Sequence, residues 1–480
     1  MNSSRRQLLI RGAGGVLALP LLGGGAWPAD DARLAEIRMG RDPVVLTAAE
    51  RLTVLGPGLR PIPAWLFADT PFPVLRARRG QTMTVVLNNR LPQHTAIHWH
   101  GVRTPNAMDG VPYLTQPPVQ PGETFTYSFA PPDAGTYFFH PHCNTAEQLG
   151  RGMLGALIVE EDEPARFDDE LVLILKDWRL DPDGDFLPFS TLSGASRAGS
   201  FGTLRTVNGR PSPRIASPAG GALRLRLINA DCARICDLGL EGAAAEVVAV
   251  DGSPIGPLPL DTWRFAPGMR LDLRVRMPRA GEVRLVDYFA AAPVTLASVT
   301  AGGEPAAVQE SEPSGPPAAI PPIDLAGAWR HTLELGAGLA PASIPDIQPI
   351  VLADGRRIDL ADSLCLGSNT FWAFDGQSWP EAAMGRLPPP LFTLASGRSV
   401  ALELSNTTSR AHPIHLHGHA MTVLSASVLA RPVHRADTVL VMPNERVQTA
   451  FVAGQPGAWM IHCHVVEHQE TGMMAWFRVS

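Results

Sequence analysis

Near its C-terminus the chain carries a cysteine between two histidines, His462-Cys463-His464, followed by His468 and Met473. In an extended strand successive side chains point to opposite faces, so the two histidines would share one face and the cysteine would point to the other. One tripeptide can therefore serve two metal sites. Cys463, His468 and Met473 supply a thiolate, an imidazole and a thioether. With one further histidine, this is the ligand set of a blue-copper electron-transfer site.

His412, three residues before His415, is the candidate for the missing imidazole of this site. Met474 is a neighbouring alternative to Met473 as the weak axial ligand, although the spacing favours Met473. The alternative for the whole motif is a buried cysteine between two surface histidines, because cysteine often packs as a small hydrophobe. The additional histidine and methionine downstream favour the metal site.

Four histidine pairs of the form His-x-His could hold further metal ions. They are His98/His100, His140/His142, His415/His417 and His462/His464. If each pair lies on a strand, its two imidazoles share one face, with Cα atoms ~6.6 Å apart, which suits two neighbouring metals better than one. Imidazole binds Cu, Zn, Fe and Ni, so the pairs alone do not name the metal; the thiolate-containing set names copper.

A repeated pattern of strands and turns must position these histidines. Three similar strand-like runs each end in an asparagine: Thr84–Asn89, Leu223–Asn229 and Val400–Asn406. The same offset beyond that asparagine reaches His98 in the first copy and His415 in the third, but Leu238 in the middle copy. A domain-sized unit of short strands therefore recurs three times, and its middle copy carries no histidine pair.

Turn signals further along each copy support the same alignment. Pro121-Gly122, Pro267-Gly268 and Pro443-Asn444 each open a strand, and glycines then lead to the second histidine pair of the first and third copies. Strand-like runs alternating with turns throughout predict an all-β protein of three Greek-key sandwich or barrel domains. Because only the outer copies carry histidine pairs, we expect a multi-metal cluster at the seam between them.

Length and composition agree with this organisation. At 480 residues the chain is long enough for about three domains. Its 46 prolines and 45 glycines suit many short strands, and the net charge of −6 gives no reason to expect a nucleic-acid partner. Five cysteines do not make a disulfide scaffold at this length, although Cys232 and Cys236 could pair in an oxidising compartment.

The N-terminus resembles an export signal. Arg5 and Arg6 precede an apolar, glycine-rich run that extends to about Ala26. A charged start, a short apolar core and small residues indicate a signal peptide, here of the twin-arginine type, which exports folded proteins. The alternative is a single anchor helix, but the apolar core is short for a bilayer. We therefore expect the bacterial periplasm as the location and no membrane span in the mature chain.

The motifs HWHG at 98–101, HPH at 140–142, HPIHLHG at 412–418 and HCHVVEH…GMM at 462–474 resemble those of the multicopper oxidases. This family includes laccases and cuprous oxidases, and the similarity covers almost the whole mature chain. It implies a signal peptide at 1–30 followed by three consecutive cupredoxin-like domains. The expected domain boundaries are 40–163, 164–322 and 323–480.

The resemblance also implies four copper ions with separate ligand sets. The type 1 copper would be held by His412, Cys463, His468 and Met473. The type 2 copper would be held by His98 and His415. The type 3 pair would be held by one set of His100, His140 and His464 and a second set of His142, His417 and His462.

Proton delivery is implied less completely. Asp109 resembles an acidic residue that supplies protons in bacterial relatives, and the alternative is a plain Asp-Gly turn. Some relatives carry a carboxylate where this chain has Gln469, which leaves Glu467 and Glu470 as possible substitutes. His94, His331, His419 and His434 are expected to be structural or at the surface.

The function implied is one-electron oxidation of donors at the type 1 copper, with Cys463 carrying electrons to His462 and His464, and four-electron reduction of O2 to water. The thirteen scattered methionines favour a laccase-like enzyme with an open donor site for phenolic or aromatic compounds near His412 and His468. The segment 371–379 could contribute to that surface, although core packing is the expected role. Metal ions, Cu(I) or Fe(II), are the other expected class of donor. Alternatives to this function are a cuprous oxidase or copper-binding protein in copper tolerance, and a copper-free cupredoxin scaffold. A monomer is expected.

Overall fold

The computed structural model describes residues 32–161, 167–302, 322–338, 350–351, 357–358, 370–379 and 387–480. The predicted signal peptide and most of the proline-rich segment near 302–322 lie outside these residues, as does Cys365. Strands dominate the described chain, which confirms the all-β prediction. Among the described residues, no helix is long and apolar enough to cross a bilayer.

The first part of the chain forms two sheets around one core. Its strands are β1 (Glu36–Arg38), β2 (Val44–Thr53), β3 (Ile62–Leu66), β4 (Val74–Arg78), β5 (Met83–Asn89), β6 (His98–His100), β7 (Thr124–Phe129), β8 (Gly135–His140) and β9 (Gly155–Glu160). The sheet orders are β3-β2-β5-β7 and β1-β4-β9-β8-β6. A short 3-10 helix spans Asn106–Met108, and α1 spans Thr145–Gly150.

The middle part repeats this design without a histidine pair. Its strands are β10 (Asp169–Trp178), β11 (Leu204–Val207), β12 (Arg214–Pro218), β13 (Ala222–Asn229), β14 (Cys236–Glu241), β15 (Ala245–Val250), β16 (Ser253–Pro259), β17 (Trp263–Phe265), β18 (Arg270–Arg276), β19 (Glu282–Asp287) and β20 (Val294–Gly302). The sheet orders are β11-β10-β13-β18-β15-β16 and β12-β20-β19-β14-β17, and α2 spans Leu192–Ala195.

The third part carries the C-terminal motifs. Its strands are β21 (Trp329–Ala337), β22 (Ile350–Val351), β23 (Arg357–Ile358), β24 (Trp372–Phe374), β25 (Thr393–Leu394), β26 (Ser399–Asn406), β27 (His412–Leu416), β28 (Met421–Ala426), β29 (His434–Ala436), β30 (Thr438–Val441), β31 (Arg446–Val452), β32 (Gly457–Cys463) and β33 (Met474–Val479). The sheet orders are β24-β21-β26-β31-β28-β29 and β25-β33-β32-β27-β30, with β22 paired to β23. Helix α3 spans Val466–Glu470.

Strand pairing recurs in all three parts. Strand β2 runs parallel to β5, β10 parallel to β13 and β21 parallel to β26. Each second strand then pairs antiparallel with β7, β18 or β31. Alternating apolar residues of each part's two larger sheets face one another and form a buried core between them. The repeat inferred from the sequence is therefore a repeat of strand order and direction.

Candidate metal centre

Strand register brings the histidine pairs together within each outer part. Strand β6 lies antiparallel to β8, with His98 opposite His140. In the third part, β27 lies antiparallel to β32, with His415 opposite His462. Directly opposite residues of an antiparallel pair are close enough for their side chains to interact. Each outer part therefore presents four imidazoles from two neighbouring strands.

The expectation that every pair lies within a strand is wrong for three of the four pairs. Both His98 and His100 belong to β6, whereas β8, β27 and β32 end before the second histidine of their pairs. Between His140 and His142, Pro141 has no N–H with which to continue the sheet. Directly after His417, Gly418 turns the chain with a φ of +65°. The second imidazoles therefore come from the turns at the strand ends.

The two outer parts meet at these histidines. The rings of His98 and His417 stack with centroids 3.9 Å apart, and those of His100 and His415 stack at 3.7 Å. We call the eight residues of the four pairs the histidine cluster. Its members form three groups with ligand atoms within 4.8 Å of one another: His98/His100/His415, His100/His140/His464 and His142/His417/His462. These groups contain the type 2 and type 3 sets expected from the sequence.

In His98 and His415, one ring nitrogen forms a hydrogen bond with the backbone and the other faces the interior of the histidine cluster. His98 Nδ1 lies 2.7 Å from the Asp109 carbonyl and His415 Nδ1 lies 3.0 Å from the Asp437 carbonyl, so each Nδ1–H is the donor. Their Nε2 atoms, which then carry lone pairs, are 3.3 Å apart. Two lone pairs facing each other at this distance repel unless a cation lies near both.

The same arrangement recurs within the cluster. His462 Nδ1 donates to the Cys463 carbonyl at 2.9 Å, and the Nε2 atoms of His462 and His417 are 3.1 Å apart. Neither ring nitrogen of His464 has a hydrogen-bond partner among the described residues, although the side chain is buried. Buried polar atoms without partners are costly and rare, which fits a metal-binding role. The donor set therefore suits copper.

A second site lies on the other side of the His-Cys-His tripeptide. We call it the thiolate site; it comprises His412, Cys463, His468 and Met473. The Nδ1 atoms of His412 and His468 lie 3.1 Å apart and 3.6 Å from Cys463 Sγ. Met473 packs in the same buried cluster as Cys463, and its carbonyl accepts from the Cys463 N–H at 3.0 Å. Met474 packs instead with Trp379, Met460 and Trp476.

Burial sets the protonation of these ligands. Burial lowers the pKa of His468 to about 3 and that of His140 to about 3, so both are neutral and able to bind metal at neutral pH. Burial also raises the pKa of the Cys463 thiol. A thiolate at this buried position therefore needs a bound cation to stabilise it.

The buried carboxyl group of Asp109 contacts two members of the histidine cluster. One of its carboxyl oxygens lies 2.9 Å from His417 Nδ1, and the other lies 3.5 Å from His98 Nδ1. Burial raises the pKa of Asp109 well above its ordinary value. A turn residue without a further role would be exposed, whereas this side chain is fully buried.

The other proton-route candidates lie in different surroundings. Gln469 is buried, and its amide nitrogen has no hydrogen-bond partner among the described residues. The Glu470 carboxylate accepts the Ala146 N–H at 2.8 Å, and burial raises the pKa of Glu470 to about 8. Glu467 accepts N–H and O–H groups from the segment 191–200 instead.

The open donor site predicted near His412 and His468 does not include the imidazoles themselves. Both rings are fully buried, because His412 Nε2 contacts the Thr408 hydroxyl at 2.9 Å and His468 Nε2 donates to the Arg197 carbonyl at 2.7 Å. Trp372 also lies against both rings. Cys232 and Cys236, which could have formed a disulfide, are both free thiols. His419 and His434, expected to be structural or at the surface, are buried.

Contacts from Asp437, Thr438 and the middle part were not expected from the sequence. Asp437 Oδ1 lies 3.1 Å from His100 Nε2, and the Thr438 hydroxyl lies 3.0 Å from the same nitrogen. A Cβ placed on Gly268 would lie 2.8 Å from His464 Cδ2 and 3.2 Å from His100 Cε1. The turn signal at Pro267-Gly268 was the available hint, since the repeat places it beside the histidine-bearing strands.

Comparison with known proteins settles the family. Multicopper oxidase family models match residues 63–164, 169–309 and 365–480. The crystal structure of a multicopper oxidase from Pseudomonas Parafulva is 38% identical, covers 91% of this chain and all of that one, and superposes with a TM-score of 0.79. The chain belongs to the multicopper oxidase family.

Curated relatives extend the comparison of this multicopper oxidase. The multicopper oxidase MmcO of Mycobacterium tuberculosis is 29% identical over 84% of this chain and 80% of its own length. Laccase-1 of Botryotinia fuckeliana is 26% identical over 85% of this chain and 76% of its own length. The predicted fold of three consecutive cupredoxin-like domains is confirmed, and the protein is a copper-dependent oxidoreductase that transfers electrons from a donor to O2.

Proposed function

We propose that this multicopper oxidase binds four copper ions through the residues predicted from its sequence. The thiolate site would hold the type 1 copper and the histidine cluster the other three. The observation that supports this most directly is the convergence of His412, Cys463 and His468 within 4.8 Å on the opposite side of the His-Cys-His tripeptide from the cluster. The covalent backbone between Cys463 and its two neighbours then joins the two sites.

The protein's own residues prepare both sites for this chemistry. Copper, when bound, accepts electrons one at a time at the thiolate site and supports four-electron reduction of O2 at the histidine cluster. The backbone carbonyls of Asp109, Asp437 and Cys463 fix imidazole tautomers, so that Nε2 faces the cluster. Asp109, whose pKa is raised by burial, lies beside His417 and is placed to donate a proton where O2 reduction consumes protons.

We infer a laccase-like activity, with small phenolic or aromatic compounds giving up one electron each. A laccase among the relatives and the scatter of the methionines along the sequence support this. The predicted oxidation of Cu(I) or Fe(II) is the alternative that the same assays test.

The remaining predictions concern organisation and location. We propose domain boundaries at 40–163, 164–322 and 323–480, which agree with the spacing of the three family matches. Arg5 and Arg6 support export of the folded protein to the periplasm through the twin-arginine route, with 1–30 as the signal peptide. We expect the mature protein to be a monomer.

Copper loading of the full protein tests the function. We expect blue absorption, an EPR signal for both blue and type 2 copper, and O2 uptake with a phenolic donor. Cys463→Ser should abolish the blue absorption and donor-driven O2 uptake, because serine supplies no thiolate. Cys236→Ser, at another buried free thiol, is the matched control and should retain both.

Retention of both signals by Cys463→Ser would contradict the proposed route. A colourless protein after copper loading would indicate a copper-free scaffold. Rapid oxidation of Cu(I) with poor oxidation of phenols would instead favour a copper-handling role.

A further inference from the structure

One segment of the middle part covers the thiolate site. We call Thr191–Ser200 the covering segment; it includes α2. Its Arg197 carbonyl accepts from His468 Nε2 at 2.7 Å, and its Ala195 carbonyl accepts from Trp372 Nε1 at 2.6 Å. The Trp372 ring lies 4.5 Å from the ring of His468, centroid to centroid. With this segment in place, a donor in solution cannot touch the His468 imidazole.

Both ends of the covering segment are bound by one buried carboxylate. Glu467 accepts the Thr191 N–H at 2.8 Å and the Ser200 hydroxyl at 2.8 Å, and it also accepts the Ser200 N–H. The hydroxyls of Thr191 and Ser200 are themselves 2.8 Å apart. Glu467 directly precedes His468 in the sequence, so the covering segment and a proposed copper ligand share one anchor.

Close packing allows little displacement at this anchor. A Cβ on Gly194 would lie 2.6 Å from Glu467 Oε1 and would overlap the Ser200 hydroxyl. Gly194 also donates its N–H to the Thr191 hydroxyl at 2.9 Å. Only glycine fits here while the three hydrogen bonds to Glu467 remain, so a larger residue at this position would displace the segment from Glu467.

We propose that the covering segment, held by Glu467, selects the electron donor of this enzyme. The proposal rests on the type 1 assignment of the thiolate site. In the closed form, a compact donor gives up one electron at the surface of the segment, and the exposed Arg197 guanidinium favours an anionic donor. A bulky neutral phenol that must approach an imidazole reacts only when the segment opens. Four such one-electron oxidations, with four protons, reduce one O2 to two water molecules.

The strength of the anchor determines how strongly bulky donors are excluded. Hydrogen bonds to a charged group are among the stronger ones in proteins. Loss of one of them would raise the open fraction about tenfold, and the apparent affinity for a donor that needs the open form would rise by the same factor. A donor that reacts through the closed segment gains no such advantage.

Gly194→Ala in the copper-loaded full chain tests this selection. Stopped-flow bleaching of the blue absorption without O2 would follow reduction by ferrocyanide, a compact anion, and by syringaldazine, a bulky neutral phenol. We expect the half-saturating syringaldazine concentration to fall about tenfold and the ferrocyanide rate to change less than about twofold. Ser200→Ala, which removes one hydrogen bond to Glu467 without added bulk, should act in the same direction.

The matched control is Gly256→Ala, a glycine of the middle part where an added Cβ meets no atom within 4 Å. It should leave both donors unaffected. The proposal is overturned if Gly194→Ala and Ser200→Ala keep the blue absorption but their reactions with the two donors change in parallel or do not change. The oxidase function would still stand in that case. If Gly194→Ala does not accumulate, Ser200→Ala decides. Absence of blue absorption in the unmodified copper-loaded protein would instead contradict the proposed function itself.

Discussion

At the scale of single residues, the site depends on which ring nitrogen of each histidine is engaged by the protein. In the thiolate site Nε2 of His412 and His468 is engaged and Nδ1 faces Cys463. In the histidine cluster, His98 and His415 have the reverse arrangement. The hydrogen-bond partners are backbone carbonyls and one hydroxyl, which no motif encodes. The sequence therefore predicts the ligands but not their tautomers.

Asp109→Asn is expected to slow O2 reduction by about 10²-fold or more, because general acid–base groups typically contribute this much. Burial raises the pKa of Asp109 and so favours the protonated carboxyl, which can give up a proton, whereas an amide cannot. The unmodified enzyme should lose rate as pH rises through that raised pKa, while the variant should be slow on both sides of it. O2 uptake measured against pH, with copper content determined in parallel, checks this.

Two further measurements help to interpret the result for Asp109→Asn. Anaerobic reduction of the blue absorption should be unchanged in Asp109→Asn, since donor oxidation occurs at the thiolate site. Asp69→Asn, at an exposed carboxylate, serves as the control. If copper content is intact and O2 reduction is undiminished, Asp109 is only a structural turn residue.

At the scale of elements, the middle part contacts the histidine cluster although it carries no histidine pair itself. Its Pro267-Gly268 turn lies against His464 and His100. The equivalent turn of the first copy, at Gly122, has almost the same φ, +83° against +85°, but an added Cβ there meets no atom within 4 Å. The repeat predicts both turns, whereas only the packing of three parts distinguishes them.

Gly268→Ala should therefore reduce copper in the histidine cluster while the blue absorption remains. Both Gly268→Ala and Gly122→Ala carry a backbone cost of about 1–2 kcal/mol from the left-handed conformation, so Gly122→Ala controls for strain. Copper per chain and the ratio of type 2 to blue EPR signals would be measured for each variant. Equal copper loss in the two variants would mean that backbone strain, rather than contact with the imidazoles, is responsible.

How far the sequence could predict the structure also differs between elements. Strands such as β5, β13 and β26 follow from their apolar alternation and the recurring asparagine, and the strand partners follow from the repeat. Burial of His468 could not be predicted, because its Nε2 donates to Arg197 in the distant Thr191–Ser200 segment, which Glu467 binds at both ends. Nothing in the composition of that segment distinguishes it from an ordinary loop.

At the scale of the whole molecule, a buried ion pair joins the three parts at the histidine cluster. Arg270 begins β18 of the middle part, and its guanidinium donates to Asp437 Oδ1 at 2.7 Å, beside His100 and His415. The same guanidinium donates to the Thr136 carbonyl of the first part at 3.2 Å. Burial pushes the pKa of Asp437 upward, but the Arg270 charge outweighs it and holds that pKa below its ordinary value.

Arg270→Met is expected to lower the free energy of unfolding of the copper-free protein by about 3–5 kcal/mol at neutral pH, because it leaves the buried Asp437 carboxylate without its partner. Arg284→Met, at an exposed pair with Glu241, should cost only about 0–1 kcal/mol. Urea unfolding of both variants gives the comparison. Since the depressed pKa of Asp437 stabilises the fold only above the ordinary aspartate value of about 4, the deficit of Arg270→Met should shrink as pH falls below it. Equal deficits for the two variants, or a deficit that does not change with pH, would show that the pair does not couple the middle part to the histidine cluster through charge.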